Sequence, residues 1–115
     1  MGLIARLFGG KAPATRWIEL DELRRTLAGT VPPLVVDVRG ADEFDGPLGH
    51  IAGALNIPLP ELAARRAEIA AARRPVVLVC LTDKRSAAGS AALAAAGLAD
   101  VAVLRGGMTA WNAAP

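Results

Sequence analysis

Aromatic side chains are scarce in this 115-residue chain: two Trp, two Phe and no Tyr. Its core must then be aliphatic, drawn from the Leu, Val, Ile and Ala that dominate an apolar content of 53%. Such a content excludes disorder of the low-hydrophobicity kind. It suits one compact domain with a core that needs no covalent staples. Cysteine occurs once, at Cys80, so no internal disulfide forms, and a reducing, cytoplasmic setting is expected. Histidine also occurs once, at His50. With no second His or Cys to join either, no zinc site is expected. Net charge is only +2, and the basic residues are scattered, so nucleic acid is not an expected partner.

The apolar run between Met1 and Lys11 is interrupted by Arg6. It is too short to span a bilayer and lacks a small-residue cleavage site, so no membrane partner is expected. Arg6 also stands where a myristoylation motif starting at Gly2 requires Ser or Thr. Residues 1–13 read as a tail or short helix ending at Gly9-Gly10, and residues 14–115 as the domain.

Strand-like and helix-like segments then alternate. Arg16-Trp17-Ile18 reads as a short strand, and Leu20, Leu23 and Leu27 have the spacing of one helix face, with Gly29 as a stop. Leu34 to Val38 is a nearly continuous apolar run, the pattern of a strand covered on both faces. Ala54 to Ile57 reads as a third strand, Leu59 to Ala72 as a helix, and Val76 to Cys80 as a second fully buried strand. A small-residue helix from Ser86 to Ala96, a last strand from Val101 to Leu104 and a Gly106-Gly107 turn complete the chain as far as Trp111. The alternation predicts an α/β domain with a mainly parallel five-stranded sheet and helices on both faces. Ligands of such sheets bind beyond the carboxyl ends of the strands.

Cys80 lies at such an end. The segment Cys80-Leu81-Thr82-Asp83-Lys84-Arg85-Ser86 joins a buried strand to a helix. A short, sharply turning loop gathers its N–H groups into an anion-binding concavity. The following helix contributes the positive end of its dipole, and Lys84 and Arg85 contribute full charges. Together these stabilise a negatively charged sulfur. Asp83 opposes that if it faces the sulfur and matters little if it faces solvent; both orientations stay open. The bland alternative is that Cys80 is a small buried hydrophobe.

Three stretches carry a family resemblance. The first combines Asp37-Val38-Arg39, Glu43-Phe44 and the run Gly49 to Pro58; the second is Cys80 to Ser86; the third is Leu104 to Met108 with Trp111. In this order and spacing, from Ile18 to Trp111, the chain resembles a rhodanese domain. The resemblance implies a rhodanese-like α/β fold and a sulfurtransferase, with Cys80 as nucleophile and persulfide carrier. It implies that the amides of Leu81, Thr82, Asp83, Lys84, Arg85 and Ser86 cradle the transferred sulfur, and that Arg85 orders the loop and helps bind an anionic donor. Asp37 and Arg39 would support the loop, Asp37 by accepting hydrogen bonds from it. The donor would be a small sulfur-containing anion such as thiosulfate, the acceptor a thiol, cyanide or a protein, and no cofactor or metal is implied. Asp83 departs from the glycine common at its position, which bears on donor preference.

Several expectations sit beside that reading. Arg39 and Glu43, four apart, are placed to form a structural ion pair. His50 reads as part of a turn rather than a general base, and Trp17 and Trp111 as packing residues. Related phosphatases and arsenate reductases have five residues between cysteine and arginine; this chain has four, a ring sized for one sulfur atom. The rival from another class is a non-enzymatic rhodanese-like interaction or sulfur-sensing module.

Overall fold

The computed structural model describes residues 14–113. The expectation for residues 1–13 falls outside them. In chain order the elements are β1 (Arg16–Ile18), α1 (Leu20–Leu27), β2 (Leu34–Asp37), α2 (Ala41–Phe44), β3 (Leu55–Asn56), a 3₁₀ turn (Leu59–Glu61), α3 (Arg66–Ala71), β4 (Val76–Val79), α4 (Lys84–Ala95), β5 (Val101–Leu104) and α5 (Gly107–Ala113). The five strands form one sheet in the order β1-β5-β4-β2-β3, and every neighbouring pair is parallel.

The apolar runs explain the centre of that order. All four residues of β2, β4 and β5 are buried, as three adjacent strands covered on both faces must be. Alternate side chains go to opposite faces. On one face Leu34, Val36, Val76, Leu78 and Val101 pack with Leu62, Ile69 and Leu93 from the 3₁₀ segment, α3 and α4. On the other, Val35, Val77, Val79, Ala102 and Leu104 pack with Leu23 and Met108 from α1 and α5. Cys80 follows β4, the middle strand, and continues its alternation onto the α4 face.

Two local readings needed correction, and one short element was not anticipated. The helix expected over Leu59 to Ala72 is divided, with α3 covering only Arg66–Ala71. Its first part is tightened by three-residue hydrogen bonds, Leu62 to Leu59 and Arg66 to Ala63, and Pro60 has no amide to give. The helix expected from Ser86 begins at Lys84, so Lys84 and Arg85 belong to its first turn. The short α2 had no apolar periodicity to announce it; Glu43 Oε1 accepts from the Gly40 amide and closes its first turn.

Candidate active site

Cys80 is 1% exposed. Burial alone would suit a packing cysteine, so the surroundings of the sulfur decide its chemistry. The Ser86 amide points at it, N to Sγ 3.4 Å. Behind the loop, Met108 N–H donates to the Cys80 carbonyl at 2.8 Å, and Thr109 donates to the Leu81 carbonyl through both its amide, 2.9 Å, and its hydroxyl, 3.0 Å. Gly107 sits where three loop carbonyls converge: a Cβ built there would lie 2.0 Å from Thr82 O, 2.3 Å from Cys80 O and 2.9 Å from Leu81 O.

Those contacts orient the peptide groups. Among the described residues every peptide bond is trans, so each N–H is antiparallel to the carbonyl that precedes it. With the carbonyls of residues 80–82 turned toward α5, the amides of Leu81, Thr82 and Asp83 turn away from it. Among the described residues, no protein acceptor receives the amides of Leu81, Thr82, Asp83, Lys84 or Arg85; the Ser86 amide goes to the sulfur, and the first α4 amide with a main-chain acceptor is that of Ala87, to Asp83 O at 2.8 Å. Five consecutive amides without a protein acceptor, next in sequence to the sulfur, are the kind of set that can bind an anion, and packing gains nothing from them.

Asp83 faces neither of the two ways left open. Its Oδ2 accepts from the Gly106 amide at 3.0 Å, tying the loop to the turn before α5. Arg85 has a partner that its sequence neighbourhood did not indicate. Its guanidinium is held by Glu43 in a two-pronged pair, Nη1–Oε1 2.7 Å and Nη2–Oε2 3.0 Å. The Arg85 hydrogen bonds pull the Glu43 carboxyl down to about 2, against the partial burial that opposes them. The same bonds raise the Arg85 pKa.

The expected Arg39–Glu43 side-chain pair does not form. Arg39 Nε and Nη2 bind the Asp37 carboxylate at 2.8 to 3.2 Å, and both residues are 1% exposed. Arg39 reaches Glu43 only through its main-chain oxygen, 3.3 Å, and also takes the Gly49 carbonyl at 2.8 Å. Asp37 therefore does not accept hydrogen bonds from the cysteine loop. It neutralises Arg39, and Arg39 fixes the α2 turn that presents Glu43 to Arg85. Spacing along α2 favoured the local partner; the buried Asp37 carboxylate, two residues away, won it because a buried charge must be paired.

An Arg39→Met variant is expected to lose about 3–5 kcal/mol, since Asp37 is then left charged and buried without a partner. Denaturant unfolding checks this, and the Asp37→Leu/Arg39→Met double variant should recover part of the loss.

His50 stacks flat on Phe44, ring centroids 3.6 Å apart, and its Nδ1 donates to the Phe44 carbonyl at 2.8 Å. That is a turn-shaping use, as expected. Trp17 and Trp111 lie under Arg105 and Arg24, at 4.5 and 5.0 Å from the ring centroids. Glu43, Gly107, Met108 and Thr109 are the site residues that sequence reasoning did not assign. Only the Gly106-Gly107 pair, directly after a strand at the ligand edge, carried a signal.

The model of the rhodanese-like domain family matches residues 19–114. A sulfurtransferase of Allochromatium vinosum is 36% identical over 94 residues, covering 82% of this chain and 85% of that protein. An uncharacterized Bacillus subtilis protein, YqhL, is 39% identical over 85 residues, which are 74% of this chain but only 65% of YqhL. The human single-domain sulfurtransferase TSTD1 superposes with a TM-score of 0.73 at 26% identity, covering 89% of this chain and 99% of that one. A five-stranded parallel sheet, a cysteine at the tip of its middle strand and a family match across most of the chain agree: this protein belongs to the rhodanese-like family.

Proposed function

We infer that the chain is a sulfurtransferase that carries sulfane sulfur as a persulfide on Cys80. One observation carries this reading: the five unpartnered amides of Leu81 to Arg85, with the Ser86 amide on the sulfur itself. In the first step the Cys80 thiolate attacks the sulfane sulfur of a donor such as thiosulfate. A new S–S bond forms at Sγ, the donor's S–S bond breaks, and its electron pair leaves on sulfite. In the second step an acceptor thiolate or cyanide attacks the outer sulfur and takes it, returning the thiolate. No net oxidation occurs in either step. Covalent storage divides one transfer into two easier ones. The amide cradle acts on the negative outer sulfur as an oxyanion hole acts on oxygen, with fixed dipoles that need no reorganisation.

The four-residue interval between Cys80 and Arg85 favours a single sulfur over a tetrahedral oxyanion. With no second cysteine in the chain, release goes to an external acceptor, and a reducing compartment suits both partners. Intact-mass spectrometry after exposure to a panel of thiosulfate, polysulfide and organic persulfide donors tests the reading. The expected result is a gain of about 32 Da, one sulfur, that cyanide removes as thiocyanate. No gain with any donor would favour a non-enzymatic binding module and overturn the reading.

A further inference from the structure

Resting on that reading of Cys80, we propose that Glu43 sets donor selectivity: by cancelling the charge of Arg85 it selects against dianionic sulfur donors and in favour of singly charged ones. The charges around the loop support this. Its cations are Lys84 and Arg85, both in the first turn of α4. Arg85 spends both terminal nitrogens on the Glu43 carboxylate. Asp83 adds a second carboxylate within the loop, held on the Gly106 amide. The nearby Asp37–Arg39 pair neutralises itself. Two cations are matched by two carboxylates, so the side chains around the loop offer an arriving donor no net positive charge, and only the dipoles of the amides and of α4 remain.

Thiosulfate carries two negative charges toward a sulfur that must itself be negative to attack. The loop amides are dipoles and do not offset a full extra charge. An organic persulfide delivers the same sulfane sulfur with one charge fewer and leaves as a thiolate. Its electron count is otherwise that of the thiosulfate step, so nothing in the bond exchange favours the dianion.

Glu43→Gln keeps the shape of the side chain and an oxygen for Arg85 while removing one negative charge. Rates of Cys80 labelling are measured by rapid quench and intact mass, with thiosulfate and with the persulfide of 2-mercaptoethanol as donors. The thiosulfate-to-persulfide rate ratio is expected to rise about twofold to fivefold in Glu43→Gln at low ionic strength, because the removed charge acts on one more unit of charge in thiosulfate than in the persulfide across several ångströms of aqueous dielectric. Added salt should shrink the gain, because it screens that charge. Glu43→Gln/Arg85→Gln, with both charges gone, should return the ratio to near that of the wild type. An unchanged ratio in folded Glu43→Gln overturns the selectivity role and leaves the pair a structural one. If the variants do not fold, the wild type decides: a neutral mouth predicts thiosulfate labelling that stays level or rises with salt, and a steep fall overturns it. Absence of labelling from every donor, in the wild type and variants alike, removes the sulfur-transfer reading and the selectivity with it.

Discussion

Cys80→Ser is expected to abolish persulfide formation and to lower sulfur transfer by at least about 10⁴-fold, given that removing a covalent nucleophile has cost on the order of 10⁶ in a serine protease. A hydroxyl cannot replace the thiol here. The amides that stabilise a diffuse negative charge on sulfur leave an alcohol protonated at neutral pH, and no histidine is available to take its proton. His50, the only one in the chain, donates its Nδ1 to the Phe44 carbonyl and lies flat on the Phe44 ring. The fold should survive. Serine is smaller than cysteine, the site is buried at the end of β4, and the Ser86 amide that faces Sγ at 3.4 Å can donate to an Oγ instead. A stability change of about 1 kcal/mol, within the ordinary range for one substitution, is expected by denaturant unfolding. The pairing of results matters. Lost transfer in a protein of nearly wild-type stability assigns the chemistry to the sulfur. Transfer that persists in Cys80→Ser would take Cys80 out of the reaction.

Much of the architecture was legible because the sheet's centre is covered on both faces. Leu34 to Val38, broken only by Asp37, Val76 to Cys80 and Val101 to Leu104 had to be almost wholly apolar, and that pattern survives without tertiary information. Their adjacency follows from the same fact: β2, β4 and β5 lie side by side at the centre, and the short β1 and β3 take the edges. Placement of Cys80 at the ligand edge followed from where its run ends.

The partnerships were harder to read because they depend on which strand ends meet. Glu43 lies 42 positions before Arg85. The two come together because β2 and β4 are neighbours in register, Asp37 opposite Val79, so that both strands' exits open side by side. Sequence spacing shows only local candidates, and on that basis Arg39 was the natural partner of Glu43. Likewise, nothing around Cys80 reveals that Gly106 uses Asp83, or that Met108 and Thr109 hold the loop carbonyls; those contacts exist because β5 returns beside β4. The physical lesson is that a strand-end cysteine is visible as a candidate, whereas the side of the loop that faces it is set by the next strand's turn.

That dependence makes Gly107→Ala the most damaging small substitution expected near the site. Gly107 holds φ +51°, a left-handed conformation that costs an L side chain about 1–2 kcal/mol. Its missing Cβ matters more. The added methyl would overlap three backbone oxygens, with Thr82 O at 2.0 Å, and backbone cannot move aside as a flexible side chain can. Either α5 lifts from the loop, breaking the Met108 and Thr109 hydrogen bonds, or the loop rotates its carbonyls and with them the amides that face the other way. A total loss of about 3 kcal/mol or more is expected from strain and overpacking together. Transfer should fall about 10²-fold or further, the usual cost of displacing even one donor from such a cradle. Gly106→Ala is the matched control. Its φ of +78° is equally left-handed, but its Cβ would meet the Ala110 side chain at 2.8 Å and no loop carbonyl. It should therefore cost stability while keeping a much larger share of activity. Steady-state transfer and denaturant unfolding on both variants separate the two effects. Equal activity losses in Gly106→Ala and Gly107→Ala would mean that the damage is general strain at the turn, and that the loop amides do not depend on the room Gly107 leaves them.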